Sequence, residues 1–263
     1  MNISEIYLNK LFSREDIYNE VAEKLDCPSV CDSDSLTGAI MEISSPHEFR
    51  LYVSDEKIEN ETVDEIIEAF KSCGKNNHSV STEVYVDEFL NLIDSHSRLT
   101  RTAKPRSLVH RDGDLHPTVH IWLVKRRDMG IYVLLQKRSP EKDVNPDRYD
   151  VSAAGHVSQG GEFRHAAVRE VKEELGIDIT GNQLELIGLL NNVTKYGDIN
   201  DNEMSAIYLC RENIDIDKLT LQSSEVSEVC WAEIDELLSV MKYNDFPNCI
   251  SLDELAMIKK AVL

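Results

Sequence analysis

Three glutamates, Glu170, Glu173 and Glu174, fall in the run Arg169-Glu170-Val171-Lys172-Glu173-Glu174-Leu175-Gly176-Ile177. On a helix, residues at i, i+3 and i+4 share a face, so these carboxylates converge. Each like-charged pair at that spacing costs about 0.2–0.5 kcal/mol even when exposed. A cation among them is the best explanation for concentrating them. Hard divalent ions take oxygen ligands, and Mg²⁺ typically binds through a few carboxylates plus substrate phosphates. The residues therefore point to diphosphate chemistry. An acidic run taken alone is ordinarily a solvated helix face, but the context here is specific. Gly155 and the Gly160–Gly161 pair supply a loop just upstream, where glycine permits turns and close backbone approach. Ala166, Ala167, Val168 and Val171 give the helix an apolar side, and Gly176 stands where a helix stop belongs.

Loop, helix, acids and stop in this register resemble the Nudix box of the Nudix hydrolases. That pattern runs Gly, five residues, Glu, seven residues, Arg-Glu-aliphatic-any-Glu-Glu-any-Gly-aliphatic. Its glycine is Gly155 here and its second half is Arg169–Ile177. One position departs: the first Glu of the pattern falls on Gly161, with Glu162 one residue late. In the family that Glu mainly holds loop and helix together, and Glu162 is the local substitute. The flanks, VHRDGDLHPTVHIWLV from Val109, LLQKRSPEK and DVSAAGHVSQG, are similar to the subgroup around isopentenyl-diphosphate isomerase. The resemblance covers about Glu83 to Val240 and implies a Nudix α/β/α sandwich.

It also implies roles. Glu170 and Glu174 would ligate Mg²⁺ or Mn²⁺, Glu173 would ligate or deprotonate water, and Arg169 would orient the acids. Arg138 and Lys142, in the loop KRSPEK, match an Arg and a Lys that hold the diphosphate in the isomerases. Arg suits bidentate phosphate binding and Lys point-charge pairing. His116 and His156 match isomerase metal ligands, and hydrogen bonding to loop or substrate is the other reading for this histidine group, which includes His110 and His120. Gly155 and His156 belong to the substrate-binding loop. Glu203 matches an isomerase metal-site Glu, and Glu225 or Glu203 could serve as a late-loop general base, which must come within hydrogen-bond reach of the attacking water.

Fold alone does not separate hydrolase from isomerase. The isomerase protonates a carbon–carbon double bond with a Cys set just before the matching Gly-His. Ser152, Ala153 and Ala154 stand there instead, and alanine moves no proton. Hydrolysis needs no such Cys. The expectation is a metal-dependent hydrolase cleaving the diphosphate of a nucleoside diphosphate derivative or another X–diphosphate–Y compound. A binding module that lost turnover is the alternative, favoured only by Gly161.

Composition bounds the rest. The chain has 263 residues, 41% hydrophobic, with a formal charge of −20. That argues against polymeric nucleic acid or an anionic membrane as partner, both of which want a basic face, but not against a small diphosphate. No apolar run approaches a membrane span, and MNISEIYLNKLFSRED has no long apolar stretch. Six scattered cysteines, Cys27, Cys31, Cys73, Cys210, Cys230 and Cys249, read as free thiols of a cytoplasmic protein. A homodimer is the commonest symmetric assembly.

The elements that must position these residues follow from patterning. Residues 1–80 read as a small α+β unit of unassigned role, and 81–263 as the Nudix domain, α+β with a mixed sheet. In the first unit, Ser13 and Asp16 open a helix through Leu25, Cys27–Ser35 is turn-rich, Glu48–Val53 alternates as a strand, Glu61–Cys73 has helical spacing, and Lys75–Ser81 is a linker. In the second, strands are expected at Val84–Ile93, Thr118–Val124, Tyr132–Lys137, Tyr149–Ala153, Leu184–Thr194, Met204–Cys210 and Val226–Trp231. The second and third should form a hairpin. Helices are expected at the acidic run, Glu233–Met241 and Leu252–Val262.

Overall fold

The computed structural model describes residues 39–45, 48–53, 81–94, 96–127, 130–142, 144–158, 161–212, 214–243 and 246–263. The helices expected near 13–25 and 61–73, the turn at 27–35 and all of the 75–81 linker except Ser81 lie outside them. Two compact units divide the chain: Met1–Leu92 with Thr100–Asp112, and Ile93–Leu99 with Gly113–Leu263.

In the first unit, β1 (Ala39–Ser45) pairs antiparallel with β2 (Glu48–Val53), which pairs parallel with β3 (Ser81–Val86). The single strand expected over Val84–Ile93 is broken. β4 (Phe89–Ile93) starts afresh because residues 87 and 88 leave the ladder to hold a helix start. Asp87 accepts the Ser107 N–H at 2.9 Å and its hydroxyl at 2.6 Å, and the Glu88 carbonyl accepts the Arg106 N–H. The elements they hold, β5 (Leu99–Pro105) and the short α1 (Arg106–Asp112), had no pattern that announced them. Phe89, Ala103 and Leu108 pack together beneath them.

The second unit is built on one mixed sheet. β6 (Leu115–Arg127) is central, with β7 (Gly130–Arg138), β8 (Tyr149–Asp150), β9 (Ala153–His156), β10 (Leu184–Tyr196), β11 (Ile199–Cys210) and β12 (Val226–Glu233) around it in the order β10-β11-β6-β7-β12. Only β11–β6 is parallel within this sheet. Residues of β6 alternate between two cores, as pleating requires. Val119, Ile121 and Leu123 pack with Ala166, Ala167, Val171 and Leu175 of α2 (Phe163–Leu175). Trp122 and Val124 face the opposite layer, formed by α3 (Ile234–Lys242) and α4 (Leu252–Val262). The result is the expected α/β/α sandwich.

The expected hairpin forms, with Val124 opposite Val133 and Arg127 opposite Gly130. Past Val124 the two strands separate, and this opens the site. The strand expected at Tyr149–Ala153 is consequently two pieces: β8 extends β7, whereas β9 pairs with β6. Ser152 sits at the break, fully buried. Its hydroxyl accepts the Leu123 N–H at 2.8 Å and donates to the Leu134 carbonyl at 2.7 Å, stitching the separating strands.

Candidate active site

α2 packs on β6 and β9, and its Glu174 side chain reaches Gln136 of β7. It ends at Gly176, whose φ of 71° is the left-handed conformation glycine adopts without a Cβ penalty. The segment that follows docks on the helix end through backbone: Thr220 N–H donates to Leu175 O and Gln222 N–H to Glu174 O. It then turns, with Glu225 N–H bonding Gln222 O, and enters β12.

Glu170 and Glu174 are buried, whereas Glu173 is exposed on the flank of the helix. A Cβ placed on Gly155 would lie 2.2 Å from the Glu170 carboxyl carbon, so the loop glycine exists to let that carboxylate lie against the backbone. Arg169 donates to Glu170 Oε1 at 2.7 Å and to the His156 carbonyl at 3.0 Å, and lies 4.0 Å from Glu173. It therefore joins helix and loop. Glu162 does not: it is the N-terminal cap residue, without a side-chain cap bond, and its exposed carboxylate lies 3.9 Å from His165. The tie that the first Glu of the box provides elsewhere falls here to Arg169.

Glu174 Oε2 accepts the Ala154 N–H at 3.1 Å and the Gln136 amide at 3.3 Å. Burial, then the neighbouring Glu170, push its pKa well above the ordinary carboxyl value, with Asp150 and Glu225 adding to the effect. The acid cluster thus extends past the helix to Asp150 and Glu225. Arg138 and Lys142 of the KRSPEK segment both reach it. Arg138 donates to Asp150 at 3.0 Å and to the Val144 carbonyl, and Lys142 pairs with Glu225. The loop itself is tied to the same place by the Ser139 N–H to Glu225 O bond.

A second group sits along β6 and β11. Ligand atoms of His116, Asp201 and Glu203 all lie within 4.8 Å of one another. The His116 ring is set by Nδ1, which is 2.9 Å from the Asp114 carbonyl, and the His156 ring centroid is 5.3 Å away. Burial and Asp201 push the Glu203 pKa up to about 8. His110 belongs to the other unit. Both groups suit a hard divalent cation: carboxylates brought together by the fold, each with one member raised in pKa by burial and by a neighbouring carboxylate, and with imidazole beside one set. Ser152 and Ala153 are buried and Ala154 has its N–H on Glu174, so the positions that match the isomerase Cys carry no proton donor directed at a substrate.

Asp150, Gln136 and Asp201 escaped sequence reasoning. Gln136 had a signal, a lone amide closing the apolar run IYVLLQ. The two aspartates had none, being indistinguishable by type from many surface acids in so acidic a chain.

Fold and site together define a hydrolase of the Nudix type, and comparison with known proteins agrees. The NUDIX domain model matches residues 114–250, and the chain belongs to this family. An uncharacterized Nudix hydrolase of Clostridium acetobutylicum is 42% identical over 57% of this chain and 72% of its own length. An isopentenyl-diphosphate Delta-isomerase of Paenarthrobacter aurescens is 34% identical over 41% of the chain and 57% of its own, in keeping with the subgroup resemblance. A crystal structure from Deinococcus radiodurans, 20% identical, superposes with a TM-score of 0.50 over 64% of this chain and 98% of that one, which speaks to the fold alone. The chain is a pyrophosphohydrolase of this family, whose members generally use divalent cations.

Proposed function

We propose that the protein hydrolyses the diphosphate bond of a nucleoside diphosphate derivative, or a similar X–diphosphate–Y compound, with Mg²⁺ or Mn²⁺. One observation carries this reading: two buried glutamates, Glu170 and Glu174, are held side by side by backbone contacts that leave no room for their repulsion to relax. Glu170 and Glu174 would hold the cation, with Glu173 and Glu203 as further ligands. The bound ion supplies charge neutralisation and acidifies a water.

The chain's own residues do the rest. Arg169 fixes Glu170 and the loop carbonyl of His156 in one geometry, so the acids need no rearrangement when substrate arrives. Arg138 and Lys142 meet the phosphates, trading part of their contacts with Asp150 and Glu225 for phosphate oxygens. Gly155 and His156 lie along the bound diphosphate. Glu173, exposed and unencumbered by backbone, or Glu225, released as Lys142 turns to phosphate, takes the proton of the attacking water.

Residues 81–263 are proposed as the hydrolase domain and 1–80 as a separate N-terminal unit. The protein is further proposed to be cytoplasmic and homodimeric, with small-molecule partners only. No helix among the described residues is long and apolar enough to cross a membrane.

A panel of nucleoside diphosphate derivatives, dinucleotide polyphosphates and prenyl diphosphates with Mg²⁺ or Mn²⁺ tests the reading. Turnover that Glu173→Gln lowers by about 10²–10⁴-fold, the usual contribution of a positioned base, with an unchanged melting temperature, supports it. Tight binding without turnover under either metal overturns it in favour of a binding module.

A further inference from the structure

His120 stands on β6, on the face that turns toward α4. Its Nδ1 is 3.0 Å from both carboxylate oxygens of Glu254, the third residue of that helix. Glu254 Oε1 also accepts the Trp122 indole N–H at 2.8 Å. The Glu254 side chain is 1% exposed. A carboxylate that deep needs a positive partner, and an indole is neutral, so the partner is an imidazolium at His120. With Nδ1–H committed to Glu254, the ring orientation is fixed and Nε2 occupies its far corner. The accessible end of the pair is the imidazole, whose side chain is 14% exposed.

On β6 His120 shares a face with His116, which stands with Asp201 and Glu203. Across the β6–β9 ladder His120 faces Ala154, whose N–H holds Glu174. Asp150, the partner of Arg138, acts on it electrostatically, as does Glu203. The charged groups that act on the ring are thus Glu254 from α4, Asp150 from β8 and Glu203 from β11.

We propose that His120 is a further phosphate-binding residue of this site, donating through Nε2–H to the diphosphate, and that Glu254 on the C-terminal helix is its positioning residue. The assignment rests on the diphosphate reading of the site. Binding of imidodiphosphate, a non-hydrolysable P–N–P probe, to the full chain with Mg²⁺ tests it by calorimetry. His120→Phe should weaken binding by about 10–100-fold, the scale of a hydrogen bond to a charged group. His120→Gln, which keeps a donor, should recover part of it, and Glu254→Gln should weaken binding in the same direction. If His120→Phe binds the probe as the natural chain does and only its melting temperature falls, the pair merely pins α4 and the proposal is overturned. If the phenylalanine variant does not fold, the Nε2 resonance of His120 in the natural chain decides by moving, or not, when imidodiphosphate is added. Failure of the diphosphate reading itself looks different: the natural chain would neither bind imidodiphosphate nor hydrolyse any member of the panel.

Discussion

Among single residues, Glu174 carries the sharpest consequence. Its carboxyl is raised in pKa by burial and by Glu170, so the folded chain binds this proton more tightly than the unfolded chain does. Such a group contributes stability that is complete below the unfolded value, near 4.5, and is lost as pH rises through the folded one. Without metal, the melting temperature of the natural chain should therefore fall as the solution is taken from mildly acidic to mildly alkaline. Glu174→Gln should remove that component and melt higher at pH 8 by a few degrees, given that about 1 kcal/mol moves a domain of this size by about 2–4 °C. The same substitution should abolish the rise in melting temperature that Mg²⁺ gives the natural chain by binding the folded state alone. Thermal scans with and without Mg²⁺ across pH check both. A variant that melts lower than the natural chain at pH 8 in chelator would refute the strained-acid account.

At the level of elements, α2 depends on its end as much as on its face. A Cβ on Gly176 would approach the Thr220 side chain and carbonyl to 2.9 Å while the residue stays at positive φ. Gly176→Ala should cost at least about 1–2 kcal/mol from the left-handed backbone alone. Because the Thr220 segment leads to Glu225, kcat/KM should fall as well, which a distant helix-capping defect would not cause. Kinetics alongside denaturant melts separate the two effects. These elements also show what patterning reveals. β2 (Glu48–Val53) and α4 (Leu252–Val262) follow the read boundaries, and α2 follows from its apolar stripe, because each obeys one period throughout. The 149–156 region did not, because its two pieces answer to different partners and the break is set by where β6 and β7 part. The acids of α2 were legible from spacing and resemblance. Glu254 was not, since within DELAM it is one more helix acid until the sheet brings Trp122 and His120 to it.

For the whole molecule the dominant fact is a formal charge of −20. Such a chain repels a free anionic diphosphate at long range and accepts it only through a few local cations. Raising ionic strength from about 0.02 to about 0.2 M shortens the Debye length to below about 10 Å and screens that repulsion. Stopped-flow association of substrate should then accelerate by about 2–5-fold, the reverse of the salt dependence of an enzyme that steers its substrate by attraction. Slower association at higher salt would mean that the field at the site mouth is positive despite the total.

The docking of residues 220–225 onto the last carbonyls of α2 bears on how this chain can vary. Main-chain hydrogen bonds of 3.1–3.2 Å, from the Thr220 and Gln222 nitrogens to the helix end, tie the segment that carries Glu225 to α2. The side chains of Gln222, Ser223 and Ser224 are exposed and open to drift, whereas Leu221 packs against the core beneath α2. A library randomised over positions 222 to 224 should yield mostly active clones, whereas proline at 222, which removes the nitrogen that donates to Glu174 O, should be depleted from the survivors.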